Sequence, residues 1–156
     1  MRPVIILGLG NTLMSDEGIG VKVAQALQHG GCVPDHVEVL DLGSGGLRVL
    51  HHIKDRAKAV FVDCAFMNEE PGVWRRFSPD EARSTKVQTG LSLHEGDVLQ
   101  AIELSRLLGE CPDEVIIIGV QPEVVTPGEA LSPVLAARLE EYRDVVLSEV
   151  GGMHRA

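Results

Sequence analysis

Four residues of this chain have side chains that could bind an ion or move a proton and are spaced so that a fold could gather them: Glu17, Asp41, Asp63 and His94. The three acids each lie at the far end of a predicted strand. Glu17 sits at the predicted helix start within the stretch Leu7-Gly8-Leu9-Gly10-Asn11-Thr12-Leu13-Met14-Ser15-Asp16-Glu17-Gly18-Ile19-Gly20, which continues the apolar run Pro3–Leu7. Asp41 ends the alternating segment His36–Asp41, and Asp63 ends Ala59-Val60-Phe61-Val62. In an open parallel sheet these positions share one edge, the carboxyl edge, where such sheets place their ligands. His94 stands apart from the other histidines because Ser92-Leu93-His94-Glu95-Gly96-Asp97 leads from a long polar loop straight into an amphipathic helix.

Each acid also has a plain local explanation. Asp16 reads as an N-cap, and Asp16 and Glu17 together complement the helix macrodipole. Asp41 suits the glycine turn after it, and Asp63 suits a loop start. Three acids on one rim repel one another, however, and a divalent cation is the economical remedy. Two carboxyls and one imidazole make a mixed oxygen and nitrogen site open to Zn, Ni, Fe or Mn, with modest affinity for a free ion. His51 and His52 are adjacent in a predicted helix and point about 100° apart, so they do not share an ion. Cys64 reads as a small core residue on the face opposite Asp63.

The elements that must position these groups follow from apolar patterning. Pro3–Leu7 is a short run of the kind buried on both faces of a parallel sheet. Gly20, Val23, Ala24 and Leu27 then fall on one helical stripe. After Gly43-Ser44-Gly45-Gly46 a short helix presents Leu47, Leu50 and Ile53. Val73–Phe77 alternates and carries charge, as an antiparallel edge strand would. Residues 78 to 93 read as loop. A helix is predicted from about Glu95 to Leu108, with Val98, Ala101, Ile102 and Ser105 on one face. Val115–Val120 is the most apolar strand, and Ser132-Pro133 opens a last helix with Leu135, Leu139, Tyr142 and Val146 inward. Strands alternating with helices predict an α/β three-layer sandwich around a mostly parallel, roughly five-stranded twisted sheet with one antiparallel edge strand. Residues 1–156 read as one domain, with about 151–156 a frayed tail.

Composition narrows the function. The net charge of −9 over 156 residues disfavours nucleic acid and anionic membranes, both of which reward a basic face. No apolar run approaches the roughly 18 residues of a membrane span. Three scattered cysteines suit a reducing cytoplasm better than a disulfide framework. Gly8-x-Gly10 is not a dinucleotide fingerprint: its third glycine would fall at Leu13, and Asp16-Glu17 at the helix start would repel phosphate. Neither a G-x-S-x-G elbow nor an H-E-x-x-H helix is present.

Gly8 through Gly20 resembles, without a gap, the G-x-G-N-x-L-x-x-D-D/E-G-I/V-G pattern of the [NiFe]-hydrogenase maturation endopeptidases. The resemblance continues at Asp41-Leu42-Gly43-Ser44-Gly45-Gly46 (D-G-G-T-x-G in the family, with Leu42 and Ser44 as departures), at Val62-Asp63-Cys64-Ala65, at Ser92–Gly96 and at Gly119–Glu123. It implies a processing protease that removes a C-terminal extension from the hydrogenase large-subunit precursor once nickel has been inserted. Glu17, Asp63 and His94 match the metal-ligand positions. They would touch nickel that the substrate brings, while another divalent metal could occupy the site in isolation. Hydrolysis would be of an aspartyl or metal-assisted kind, with Asp41 or a ligand carboxyl as general base. The rival readings are a non-catalytic nickel-binding chaperone or checkpoint protein for the same precursor and a peptidyl-tRNA hydrolase. The latter family's T-R-H-N-V-G run is absent here. A last rival is an α/β domain whose acidic edge does nothing.

Overall fold

The structure, a computed structural model, describes residues 2–93 and 98–151, with only the backbone described at Val87 and Thr89. His94 and the tail beyond Gly151 therefore lie outside the described residues. Five strands form the main sheet: β1 (Val4–Leu9), β2 (Val37–Gly43), β3 (Lys58–Phe66), β4 (Trp74–Phe77) and β6 (Glu114–Val120), in the order β2-β1-β3-β6-β4. β1, β2, β3 and β6 run parallel, and β4 pairs antiparallel with β6 at the edge. A two-residue strand, β5 (Ser92–Leu93), pairs antiparallel with the end of β3.

Helices cover both faces. On one side lie α1 (Ile19–Gly30), α5 (Pro133–Ala137) and α6 (Leu139–Glu149), whose Ile19, Val23, Leu27, Leu135, Tyr142 and Val146 pack on Ile6, Val60, Val62 and Ile118. On the other lie α2 (Arg48–Ile53), α3 (Pro79–Thr89) and α4 (Val98–Leu107), whose Val49, Ile53, Ala82, Ala101 and Ile102 pack on Ile5, Leu7, Phe61 and Ile117. The central strands are apolar on both sides because both sides are roofed. This is the predicted α/β sandwich, antiparallel edge strand included.

Four local expectations are revised. The segment read as loop from 78 contains α3. Its start is a reciprocal cap: Ser78 Oγ accepts from the Glu81 N–H (3.1 Å) and Glu81 Oε1 accepts from the Ser78 N–H (2.8 Å), with Pro79 as first helical residue. Among the described side chains of this helix only Pro79 and Ala82 are buried, so they show no broad apolar stripe to betray it. Ion pairs hold it to α4, Asp80–Arg106 at 3.1 Å and Arg83–Glu103 at 3.0 Å. In the short second helix Val49 and Ile53 are buried and Leu50 packs half-buried beside them, while Leu47 is 73 % exposed, because the helix begins one residue after it. The last helix is two, interrupted at Arg138 (φ −106°). Finally, Asp63 does not end its strand. β3 continues to Phe66 because β6 and β5 still pair with it there, Asp63 with Gly119 and Ala65 with Leu93.

Candidate functional site at the carboxyl rim

The rim is built by backbone approaching backbone. The first turn of α1 sits directly on the ends of β1 and β3. A Cβ on Gly20 would come 2.1 Å from the Val62 carbonyl oxygen and 2.3 Å from that of Leu9, and one on Gly8 would come 2.2 Å from the Gly20 carbonyl oxygen. A Cβ on Gly10 (φ +135°) would lie 2.0 Å from the Glu17 carbonyl oxygen. The glycines therefore let the residues around Glu17 settle onto the strand ends, rather than cradling a phosphate. The Gly10 N–H also donates to the Gly43 carbonyl (2.8 Å), joining this loop to the end of β2.

Glu17 lies half-buried in a 3-10 turn, Ser15–Gly18, just ahead of α1. That turn packs against β3. Asp63 is wholly buried, and its Oδ1 accepts the Cys64 N–H at 2.8 Å. A carboxyl group removed from water this fully needs partners inside the protein. Burial pushes the Cys64 thiol far above its ordinary range, and the charges of Asp63, Glu17 and Asp16 push it further. Cys64 thus stays a protonated core residue packed with Val60 and Val62, as expected, and is no nucleophile.

Glu17, in the turn ahead of α1, and Asp63, on β3, both lie toward the carboxyl end of the sheet. Asp41 is at that same end, paired with Gly8, but it is exposed on the α1 side, where its Oδ2 accepts from Gln25 Nε2 (3.1 Å). Asp63 alternates with Val62 and Cys64, whose side chains join the α1-side core, so it faces the opposite side, two strands away. His94 lies outside the described residues; Leu93 before it is paired with Ala65, two residues along from Asp63. Among the described residues no group of three or more His, Cys, Asp or Glu could hold a metal ion. The two acids that are described supply oxygen donors only, and the nitrogen donor of the expected set is the residue not described.

Asp16 is not the N-cap it resembles in sequence. Gly18 occupies that position before α1, with no side-chain bond. Asp16 is fully buried and points to the segment 121–132: its Oδ2 accepts from the Glu123 and Val124 N–H groups (2.9 Å each) and its Oδ1 from that of Ser132 (2.8 Å). In the same segment Gln121 Oε1 accepts from the Met67 N–H at 2.7 Å. The available sequence signal was that Gln121–Ser132 carries proline and glycine with no apolar period, so its backbone needs partners supplied from elsewhere.

A family model described as hydrogenase maturation protease matches residues 21–149. The chain is 29% identical over 145 residues to the hydrogenase 2 maturation protease of Escherichia coli K12, covering 93% of this chain and 88% of that protein. It is 30% identical over 152 residues to the hydrogenase expression/formation protein HupD of Bradyrhizobium diazoefficiens, covering 95% and 79%. Its fold matches the solved hydrogenase maturating endopeptidase HybD of E. coli with a TM-score of 0.83 at 29% identity, covering 96% of this chain and 92% of that one. The [NiFe] hydrogenase maturation protease HybD of Thermococcus kodakarensis matches with a TM-score of 0.78 at 25% identity, covering 96% and 99%.

Proposed function

This chain belongs to the hydrogenase maturation protease family, and from that premise we propose that it cuts the C-terminal extension from a [NiFe]-hydrogenase large-subunit precursor after nickel insertion. What supports the reading is that the turn carrying Glu17 packs against β3, the strand that carries Asp63, and that Leu93, just before His94, pairs with the same strand. Glu17, Asp63 and His94 are the ligands in this proposal, and the nickel belongs to the substrate. A site of two carboxyls and one imidazole holds such an ion without stripping it from the precursor. Bound there, the nickel polarises the scissile carbonyl or acidifies a water. The general base is Glu17 or Asp63. Asp41 is less well placed, since its carboxyl faces α1 and is engaged by Gln25.

The chain's three cysteines are all free thiols, which favours the cytoplasm as its compartment. No helix of the described residues is long and apolar enough to cross a membrane.

The test is mass spectrometry of the large-subunit precursor, with and without nickel, after mixing with the protein. Shortening of the nickel-loaded precursor alone is the expected result. Glu17→Gln and His94→Ala should each slow processing at least about a hundredfold, the scale for a lost catalytic contact. Full processing by both variants ends the ligand assignment. Tight binding of the precursor without cleavage would instead make the protein a nickel checkpoint.

A further inference from the structure

The turn that carries Glu17 is fastened to residues 121–132 through its first two residues, Ser15 and Asp16, and through Leu13 before it. The Asp16 N–H donates to the Val124 carbonyl (2.9 Å), the Ser15 N–H to the Gly128 carbonyl (2.8 Å) and the Gly128 N–H to the Leu13 carbonyl (2.9 Å). Ser15 Oγ donates to the Thr126 carbonyl at 2.7 Å. Beneath these ties the Asp16 carboxyl closes the segment like a clasp, taking N–H groups from both of its ends, at 123 and 124 and at 132.

The arrangement holds a conformation the chain would not choose locally. Ser15 has φ +55°, a left-handed backbone that residues other than glycine adopt at a cost and keep only when their surroundings over-determine it. On its other flank the Glu17 carbonyl rests against Gly10, where a Cβ would not fit. Adjacent side chains of a 3-10 turn diverge by about 120°. With Asp16 locked inward, its neighbour Glu17 is turned away from that clasp and is only half-buried.

We propose that Asp16 is a positioning residue for Glu17: the buried clasp it makes with residues 123, 124 and 132 fixes the 15–18 turn so that Glu17 meets its ligand beside Asp63. This rests on the reading of Glu17 as a rim ligand, but it adds a residue that touches neither metal nor peptide.

The experiment compares Asp16→Asn, Ser15→Gly and the distant control Arg56→Met with the unaltered protein. Asp16→Asn keeps the shape but offers an amide donor where N–H groups now donate. Ser15→Gly frees the strained residue and removes the tie to Thr126. Arg56 is buried and bonds the carbonyls of His52 and Arg2 near the amino ends of the strands, so its loss destabilises without reaching the rim. Three quantities are read: the melting temperature, the processing rate on nickel-loaded precursor, and hydrogen exchange at the amides of residues 15–18.

Both rim variants should slow processing by about tenfold or more, the scale of a small misplacement of a reacting group. They should also speed exchange at 15–18 by about tenfold while β1 and β3 stay protected. Arg56→Met should lower the melting temperature and leave rate and rim exchange unchanged. If Asp16→Asn does not fold, Asp16→Ser, which keeps one acceptor for the clasp, decides by the same readouts. Unaltered processing in the folded variants, slowed processing without faster exchange at 15–18, or an equal loss in Arg56→Met would each overturn the proposal. Failure of the unaltered protein to process any precursor is a different result, and it removes the proposed function itself.

Discussion

Two glycine turns stand side by side at the carboxyl rim, and their glycines serve different ends. In the first, between β1 and α1, the space where a side chain would begin is already filled by main chain: Gly8 against the Gly20 carbonyl, Gly20 against those of Leu9 and Val62. In the second, between β2 and α2, Gly43 and Gly46 (φ +62° and +61°) have nothing within 4 Å of a Cβ. Gly8 and Gly20 serve contact and Gly43 and Gly46 serve backbone conformation, while Gly10 and Gly45 combine a positive φ with close neighbours. A contact glycine tolerates no replacement, because strand backbone cannot move aside. A conformational glycine tolerates any residue that accepts a left-handed backbone. The departure from the family pattern at Leu42 belongs to the permissive turn. That side chain folds inward at the bulge opposite Gly8 and Leu9 and joins the core with Leu9 and Val49.

The contrast can be broken by substitution. Gly20→Ala should have the largest effect, a loss of about 3 kcal/mol from overpacking against two strand carbonyls. In a domain of this size that lowers the melting temperature by roughly 6–12 °C. A wild-type melt would show that α1 does not need its close seat. Gly10→Ala comes next. Its Cβ meets the Glu17 carbonyl, so processing should fall by more than the melting temperature predicts, about tenfold or beyond. Loss of stability with full activity would mean that Glu17 tolerates displacement. Gly46→Ala should cost only about 1 kcal/mol, the penalty of a left-handed alanine. Gly46→Asn should stay within about 0.5 kcal/mol, since Asn accepts that conformation. Equal costs for Gly20→Ala and Gly46→Ala in denaturant titrations would erase the distinction between the turns.

The sequence carried the layers of the fold well. Gly20, Val23, Ala24 and Leu27 on α1 and Val98, Ala101, Ile102 and Ser105 on α4 are the buried stripes that spacing predicts. It carried α3 poorly, although Ser78-Pro79-Asp80-Glu81 spells a capping box, because a helix held by charge pairs leaves no apolar period. Of the site, the placement of Glu17 beyond the end of β1 was legible, whereas Asp63 proved to lie within β3, wholly buried and still paired with Gly119. That Asp41 is engaged by Gln25 of α1 was not legible, because that partner is set by how α1 packs beside β2.

What the chain determines by itself is therefore local: which runs become strands and helices, where glycine must stand, and which acids fall at strand ends. Local spacing is enough for this, because backbone sterics and side-chain periodicity act over a few residues. Only the tertiary structure decided what Asp16 does. Its partners at Glu123, Val124 and Ser132 lie 107, 108 and 116 positions along the chain. Its local sequence suits an N-cap equally well. A buried carboxyl takes whichever N–H groups the fold brings to it, and no pattern in the residues around Asp16 records which those are.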